Sequence, residues 1–338
     1  MSTGSAATWV VRSAPGDHSC MTTISLSSID LRHDQILMTH ELISAGYDDR
    51  QITRMVRRGD LHRLRHGAYT FGAYWKDLDV TGRRKLVAHA TLRSARSPAA
   101  LAGPSAADVY GVPVWDMGEE VHLARLDHKS SRRKGGKVQH RGTILAEDVT
   151  VRDGLPVTSG TRTALDMIAV ADVPRALVTV NGLLHAKETS PEHLARRAVS
   201  MQYDPNTAIA PIVLGLADGR CESAGESLTL HLTWKQHLPR PELQVLVCDA
   251  SGRVVARVDF AWPVLGVFLE FDGKEKYHRF RRPGETIEDA VLREKRREEL
   301  ICGLTGWRCI RLVWADLYYP ERTAARIAAT LNGERWAA

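Results

Sequence analysis

Apolar and polar positions recur with two different periods along this chain, and the changes of period mark its elements. From Glu222 to His237, Ala224, Leu228 and Leu232 return every four positions, the spacing of a buried helix face. Leu243–Cys248 reads as a strand, Ser251-Gly252 as a hairpin turn, and Arg253–Trp262 as a second strand broken by Pro263. Leu265–Asp272 is a third strand. A helix over about Thr286–Leu304 follows, with Thr286 and Asp289 spaced as a capping box. Trp307–Trp314 is a fourth strand and Pro320–Leu331 a last helix, so the predicted order is α-β-β-β-α-β-α.

The other end of the chain carries a different pattern. Ile36–Gly46 reads as a short helix, and Asp48 or Asp49 then caps a second one, Arg50–Arg58, ended by Gly59. Ile52, Met55 and Val56 form its apolar stripe, while Arg50, Gln51, Arg54, Arg57 and Arg58 fall largely on the opposite side. Leu61–Tyr69 alternates as a β-ribbon with Gly67 at its bend, carrying His62, Arg63, Arg65 and His66. Helix, turn, basic helix and basic ribbon describe a winged helix-turn-helix. The second helix would enter the major groove and the ribbon would lie on phosphates. Between positions 50 and 66 stand six arginines against Asp60 alone, an excess that points to a polyanion.

The middle is less patterned. Arg83–Ser94, Ser105–Tyr110, Arg162–Val170, Val178–His185 and Pro191–Val199 read as helices, the third capped by Thr158 or Ser159, and Glu120–Leu126 as a strand. Asp166 is expected to bond to a neighbouring loop. Asp127–Lys137, with Lys129, Arg132, Arg133, Lys134 and Lys137 around Gly135-Gly136, is either a grip on a DNA backbone or a solvated hairpin tip. Gln202–Asn206 is the expected linker. No GxxxxGK[ST] loop occurs.

Composition narrows the class only modestly. With 338 residues, 43% hydrophobic and 25% charged, the chain can bury two or three cores of an ordinary globular kind. A net charge of +6 favours polyanionic partners. Five scattered cysteines without a CxxC pair argue for a reduced, cytoplasmic protein and against a zinc site. No apolar run approaches the roughly 18 residues of a membrane helix. The first twenty residues are expected to be disordered, with Met21 as an alternative start.

Candidate chemistry lies in the second and third strands of the C-terminal run. Asp259 sits between Val258 and Phe260, and Glu270 and Asp272 sit in an otherwise apolar strand. Carboxylates on core strands are costly unless paired. Strand periodicity puts Glu270 and Asp272 on one face, and pairing of the two runs would bring Asp259 to them. Such an oxygen-rich trio suits Mg²⁺ and phosphate chemistry. Asp272-Gly273 reads equally well as a turn. Trp262, Trp307 and Trp314 read as core, and His278 as a loop residue near the acids.

This order of elements, with Asp on the second strand and Glu-x-Asp on the third, resembles the PD-(D/E)XK nuclease superfamily over roughly residues 218–335. The likeness is closest to the branch related to very-short-patch-repair endonucleases. The resemblance implies that Asp259 and Glu270 bind Mg²⁺, that Glu226 on the leading helix completes the site, and that a DNA phosphodiester is hydrolysed. The superfamily's lysine falls where this chain has Asp272. Lys274 lies two residues further on, and Lys295 or Arg297 on the following helix are other sources of positive charge.

The segment from Ile52 to Tyr69 resembles the N-terminal domain of AbiEi-type antitoxins, DNA-binding autorepressors of type IV toxin–antitoxin systems. Residues 33–75 carry this likeness, and the stretch to about 205 more loosely. It implies double-stranded DNA as a partner, and a nucleotidyltransferase toxin as another.

The expected whole is an α+β or α/β multidomain protein. Residues 1–30 form a disordered segment, 31–80 a winged helix-turn-helix, 81–205 a scaffold and 215–335 a restriction-endonuclease-like domain. It acts either as a Mg²⁺-dependent endonuclease-bearing regulator, or as an inactive repressor or antitoxin whose last domain grips DNA or a toxin.

Overall fold

Ile36, Leu37 and Met38 are all buried, and three consecutive apolar residues cannot share one helix face. In the computed structural model Leu37–Met38 is accordingly a strand, β1, paired antiparallel with Tyr69 and Ala68. Helix is confined to Thr39–Ser44 (α1), where the expected helix ran over 36–46. The structure describes residues 35–127, 132–140, 144–201, 206–273 and 286–334. The expected disordered segment, Lys129, most of the 202–206 linker, Lys274 and His278 lie outside them.

The chain packs into two units. Among the described residues, the first falls within 1–101, 119–141 and 151–156, the second within 102–118, 142–150 and 157–338.

In the first unit, α2 (Asp49–Arg58) starts on Asp48, whose carboxylate accepts from the Gln51 backbone N–H at 2.6 Å. Gln51 Oε1 in turn accepts from the Asp48 N–H at 2.7 Å. Gly59, at φ 82°, ends the helix in the left-handed region open to glycine. β2 (Leu61–Arg65) and β3 (Ala68–Phe71) form a hairpin, and β1 joins it in the order β1-β3-β2. Leu37, Leu42, Ile52 and Leu61 make one small core. Ile36, Met38 and Ala68 make another with Leu86 and Ala90 of α4 (Val80–Arg93), which follows α3 (Gly72–Asp77).

A second sheet runs β6-β7-β5-β4-β9-β8. Its strands are β4 (Ala99–Leu101), β5 (Val121–Arg125), β6 (Arg132–Lys134), β7 (Lys137–His140), β8 (Val149–Arg152) and β9 (Leu155–Thr158). Residues 132–140 thus form a hairpin, and Arg133 makes a two-bond ion pair with Glu120 at 2.8 and 2.6 Å.

In the second unit, α5 (Gly103–Tyr110), α6 (Gly160–Val170), α7 (Val173–His185), α8 (Pro191–Ser200) and α9 (Ala210–Leu216) surround an apolar core that includes Leu165, Leu177, Val180, Leu183 and Val213. Beside it Asp148 is buried and held by Arg197 at 2.7 Å and by Arg162 at 3.5 Å. Arg162 also bonds Asp166 at 2.8 Å. Asp166 is thus paired with Arg162, one turn before it in the same helix.

The C-terminal run folds in the expected order: α10 (Ala224–Lys235), β10 (Glu242–Cys248), β11 (Val254–Trp262), β12 (Val267–Asp272), α11 (Ile287–Thr305), β13 (Arg308–Val313), α12 (Trp314–Leu317) and α13 (Pro320–Leu331). Thr286 and Asp289 form the predicted capping box of α11. The sheet is ordered β10-β11-β12-β13, with the first two pairings antiparallel. The last is parallel, since α11 crosses over between β12 and β13. α10 packs with α7 in the same unit, where buried Asn181 donates to Ser227 Oγ at 3.1 Å and accepts from the Asp218 N–H at 2.8 Å. Among the described residues no helix is long and apolar enough to cross a membrane.

Candidate functional site

Two groups of predicted residues can be placed. On α2 the apolar stripe seats Ile52 in the core and leaves the arginines outside. Arg50, Arg54, Arg57 and Arg58 are all exposed, and none has an acidic partner among the described residues. Positions 50, 54 and 57 fall at i, i+4 and i+7, one line along the helix, with Arg58 a turn after Arg54. Gln51 is different, because its side chain is engaged in the capping box and is not turned to a ligand.

On the hairpin, Arg63 is exposed and its Nε donates to the Arg65 carbonyl at 3.4 Å. Arg65 is half-buried, and its Nε is sequestered without a hydrogen-bond partner in the described residues. His62 does not face out as a phosphate contact. Its ring stacks on Trp75 at 4.1 Å and 8°, and Arg83 covers Trp75 at 5.2 Å. Burial, and then the Arg83 charge, lower the His62 pKa, so it is a neutral strut between hairpin and helix.

The acids of the C-terminal sheet are arranged differently from the expected trio. The ladder between β11 and β12 runs Trp262↔Val267, Ala261↔Phe268 and Phe260↔Leu269, and stops there. Asp259 and Glu270 are the next residues on either side of the opening. Asp259 Oδ2 accepts from the Phe271 N–H at 2.9 Å, so a side chain takes the place of a ladder bond where the strands part. On the other side of β11, Gln244 stands between the pairs Leu243↔Phe260 and Val245↔Val258 with a φ of 53°, outside the ordinary strand region.

Glu270 is 8% exposed. Burial pushes its carboxyl up to about 7; the nearby Asp259 charge adds to the rise, and Arg297 opposes it. Arg297 Nη2 reaches Glu270 Oε1 at 3.0 Å, so of the two helix cations considered from sequence it is Arg297 that arrives at the acids. Lys295 is exposed. Asp272 lies 3.8 Å from Arg311, the register partner of Glu270 in the parallel β12–β13 pairing.

Glu226 is 3% exposed but occupied. Oε2 accepts from the Glu222 N–H at 2.8 Å and from Gln244 Nε2 at 3.1 Å, and Oε1 from Ser223 Oγ at 2.7 Å. It is the third residue of α10, where a glutamate closes the helix start. α10 packs on the sheet face carrying Phe271, whose ring lies against Gly225. α11 packs on the face carrying Phe268, through Ile301. Glu270 shares the parity of Phe268, so Glu226 and Glu270 belong to opposite faces.

The consequence is that the acids are not gathered on one point. Among the described residues no group of three or more His, Cys, Asp or Glu side chains is close enough to hold a metal ion. As placed, these residues do not fit a resident Mg²⁺. Glu226 is filled by N–H and O–H donors, Asp259 accepts a backbone N–H, and a guanidinium stands at Glu270. Sequence could show the residue types but not that α10 packs on the opposite sheet face from Glu270, nor that β11 parts from β12 beside Asp259.

One paired site was missed. His140 Nε2 lies 3.0 Å from His122 Nδ1 across β5 and β7, and burial followed by the charge of His140 pushes His122 down to about 4. Strand periodicity around each histidine was the available signal, but nothing in sequence pairs β5 with β7.

The fold is thus that of a mixed α/β multidomain protein with several sheets, its basic helix and hairpin in one unit and its acidic sheet in the other. Comparison with known proteins refines that. Residues 27–72 match the family described as transcriptional regulator, AbiEi antitoxin, and residues 99–210 match the AbiEi antitoxin C-terminal domain. Two stretches of the chain are thus similar to AbiEi antitoxin domains. Two Mycobacterium tuberculosis relatives, uncharacterized protein MT2308 of strain CDC 1551 / Oshkosh and uncharacterized protein Rv2248 of strain H37Rv, are each 29% identical over 290 residues. The match spans 85% of this chain and 98% of theirs. The crystal structure of the RV2827C protein from M. tuberculosis is 18% identical, covers 58% of this chain and 75% of its own, and superposes with a TM-score of 0.37, too low to carry an argument.

Proposed function

We propose that this protein is a DNA-binding transcriptional regulator of the AbiEi antitoxin kind, with α2 as its major-groove reader and the β2–β3 hairpin as its wing. The observation that carries the reading is the line of arginines on α2, exposed and without acidic partners among the described residues. Unpaired guanidiniums on one helix face form an electrostatic footprint that phosphates and guanine edges match. Arg63 and the half-sequestered Arg65 supply backbone contacts beside it. A nucleotidyltransferase toxin is the second partner this reading implies.

The hydrolytic reading assigns Asp259, Glu270, Asp272 and Lys274 to catalysis, with Mg²⁺ held by Asp259, Glu270 and Glu226. In its favour, Asp259 and Glu270 flank one opening in the sheet. The other contacts of these acids weigh against it, and we assign the domain a non-hydrolytic role. Fluorescence anisotropy with duplex DNA from the protein's own upstream region tests the regulator, with Arg54→Ala/Arg57→Ala as the control expected to lose binding. Incubation with plasmid and Mg²⁺ or Mn²⁺, beside Asp259→Ala, tests the hydrolase. No nicking by either protein is expected, and nicking by the wild type alone would reinstate the enzyme.

A further inference from the structure

We propose that Arg297 stands where a divalent cation would sit at this carboxylate pair, so that the C-terminal sheet carries a counter-charge of its own in place of a metal. The inference does not depend on the DNA-binding reading.

Three contacts define the guanidinium. Nη2 donates to Glu270 Oε1 at 3.0 Å and to the Arg257 carbonyl at 2.5 Å, and Nη1 donates to Glu294 Oε1 at 2.8 Å. Arg257 lies on β11 two residues before Asp259, past the point where the β11–β12 ladder ends. Arg297 therefore bridges the two strands across the opening between Asp259 and Glu270. A planar fork of five donors can serve a strand carbonyl and two carboxylates together. A Mg²⁺ ion at the same spot would require an octahedron of oxygens and several retained waters.

Arg311 does the same for the neighbouring acid. It lies 3.8 Å from Asp272, 2.7 Å from Glu298 and 3.6 Å from Glu294. Both carboxylates of the Glu-x-Asp run thus face a guanidinium, one from α11 and one from β13. Any cation set against Glu270 would meet fixed positive charge within a few ångströms, a strong repulsion in a half-buried setting. Arg297 is also not a loose surface side chain. Ile301, one turn further along α11, is buried with Phe268 of β12, which fixes the backbone from which Arg297 reaches the sheet. The arrangement ties α11 to the split in the sheet and sets a fixed positive charge against Glu270.

Mn²⁺ titration of the full-length protein, followed by electron paramagnetic resonance and by thermal melting, is the test. Wild type should hold no more Mn²⁺ than Asp259→Asn, and its melting midpoint should not respond to the ion. Arg297→Ala should melt about 4 °C lower, and should acquire one bound Mn²⁺ that the double variant Arg297→Ala/Glu270→Gln lacks. One Mn²⁺ bound to wild type and lost in Asp259→Asn would overturn the proposal. So would an Arg297→Ala protein that melts like wild type or gains no ion. If Arg297→Ala does not fold, Arg297→Lys decides. Its single ammonium cannot span all three acceptors, so a lowered midpoint without Mn²⁺ binding is expected, and an unchanged midpoint would sink the idea.

Discussion

The arginines of α2 and the arginines around β12 are the same chemical group in opposite circumstances. Arg50, Arg54, Arg57 and Arg58 are exposed and have no acidic partner among the described residues. Arg297 and Arg311 are about two-thirds covered, and between them touch Glu270, Asp272, Glu294 and Glu298. A guanidinium whose donors are already taken is part of the architecture, whereas one left open is available to a polyanion. Counting basic residues does not separate these cases. Their partners do.

Substitution should break the comparison most visibly at the DNA. Arg54→Ala/Arg57→Ala should weaken duplex binding roughly tenfold to a hundredfold, as expected for loss of two phosphate or base contacts. Arg297→Ala should leave affinity within about twofold of wild type, measured by anisotropy at fixed salt.

The two units should also answer pH in opposite senses. His122, held near 4 when folded against 6.5 unfolded, contributes stability above pH 6.5 that is lost as pH falls toward 4. Glu270, held near 7 when folded against 4.5 unfolded, contributes stability below pH 4.5 that is lost as pH rises through 7. Each effect is at most about 3.5 kcal/mol. Denaturant melts across pH should show the acid limb flatten in His122→Asn and the alkaline limb flatten in Glu270→Gln. An unaltered limb in either variant would remove that residue from the account.

A packing change comes next in size. A Cβ at Gly225 would lie 2.0 Å from the Phe271 ring, so Gly225→Ala should cost about 2 kcal/mol or more in unfolding free energy. The smallest effect is expected at Gln51. Gln51→Ala removes one arm of the α2 capping box and should cost about 0.5–1 kcal/mol, with little change in DNA affinity. A large affinity loss there would mean that Gln51 leaves its cap to read DNA.

Much of the secondary structure was legible because its signals are local. The Thr286–Asp289 box, the Gly59 stop and the Pro263 break all sit where the chain changes direction. Leu37–Met38 reads as helix along the chain because its strand partner, Ala68–Tyr69, lies about thirty residues away. β8 and β9 are neighbours across Asp153-Gly154, but at four residues each they are too short for strand periodicity to mark. At the candidate sites the residue types were legible and their commitments were not. Glu226 was picked out as an acid on the leading helix, but only the fold shows Ser223, Glu222 and Gln244 filling its oxygens. The Arg297–Arg257 bond joins residues forty apart, and no pattern along the chain announces it.

The central claim is that the open arginines of α2 meet phosphate. It is tested most directly by the salt dependence of duplex binding for wild type and Arg54→Ala/Arg57→Ala. The slope of log affinity against log salt should be shallower by about two in the double variant, roughly one for each phosphate contact removed. Equal slopes for the two proteins would contradict it.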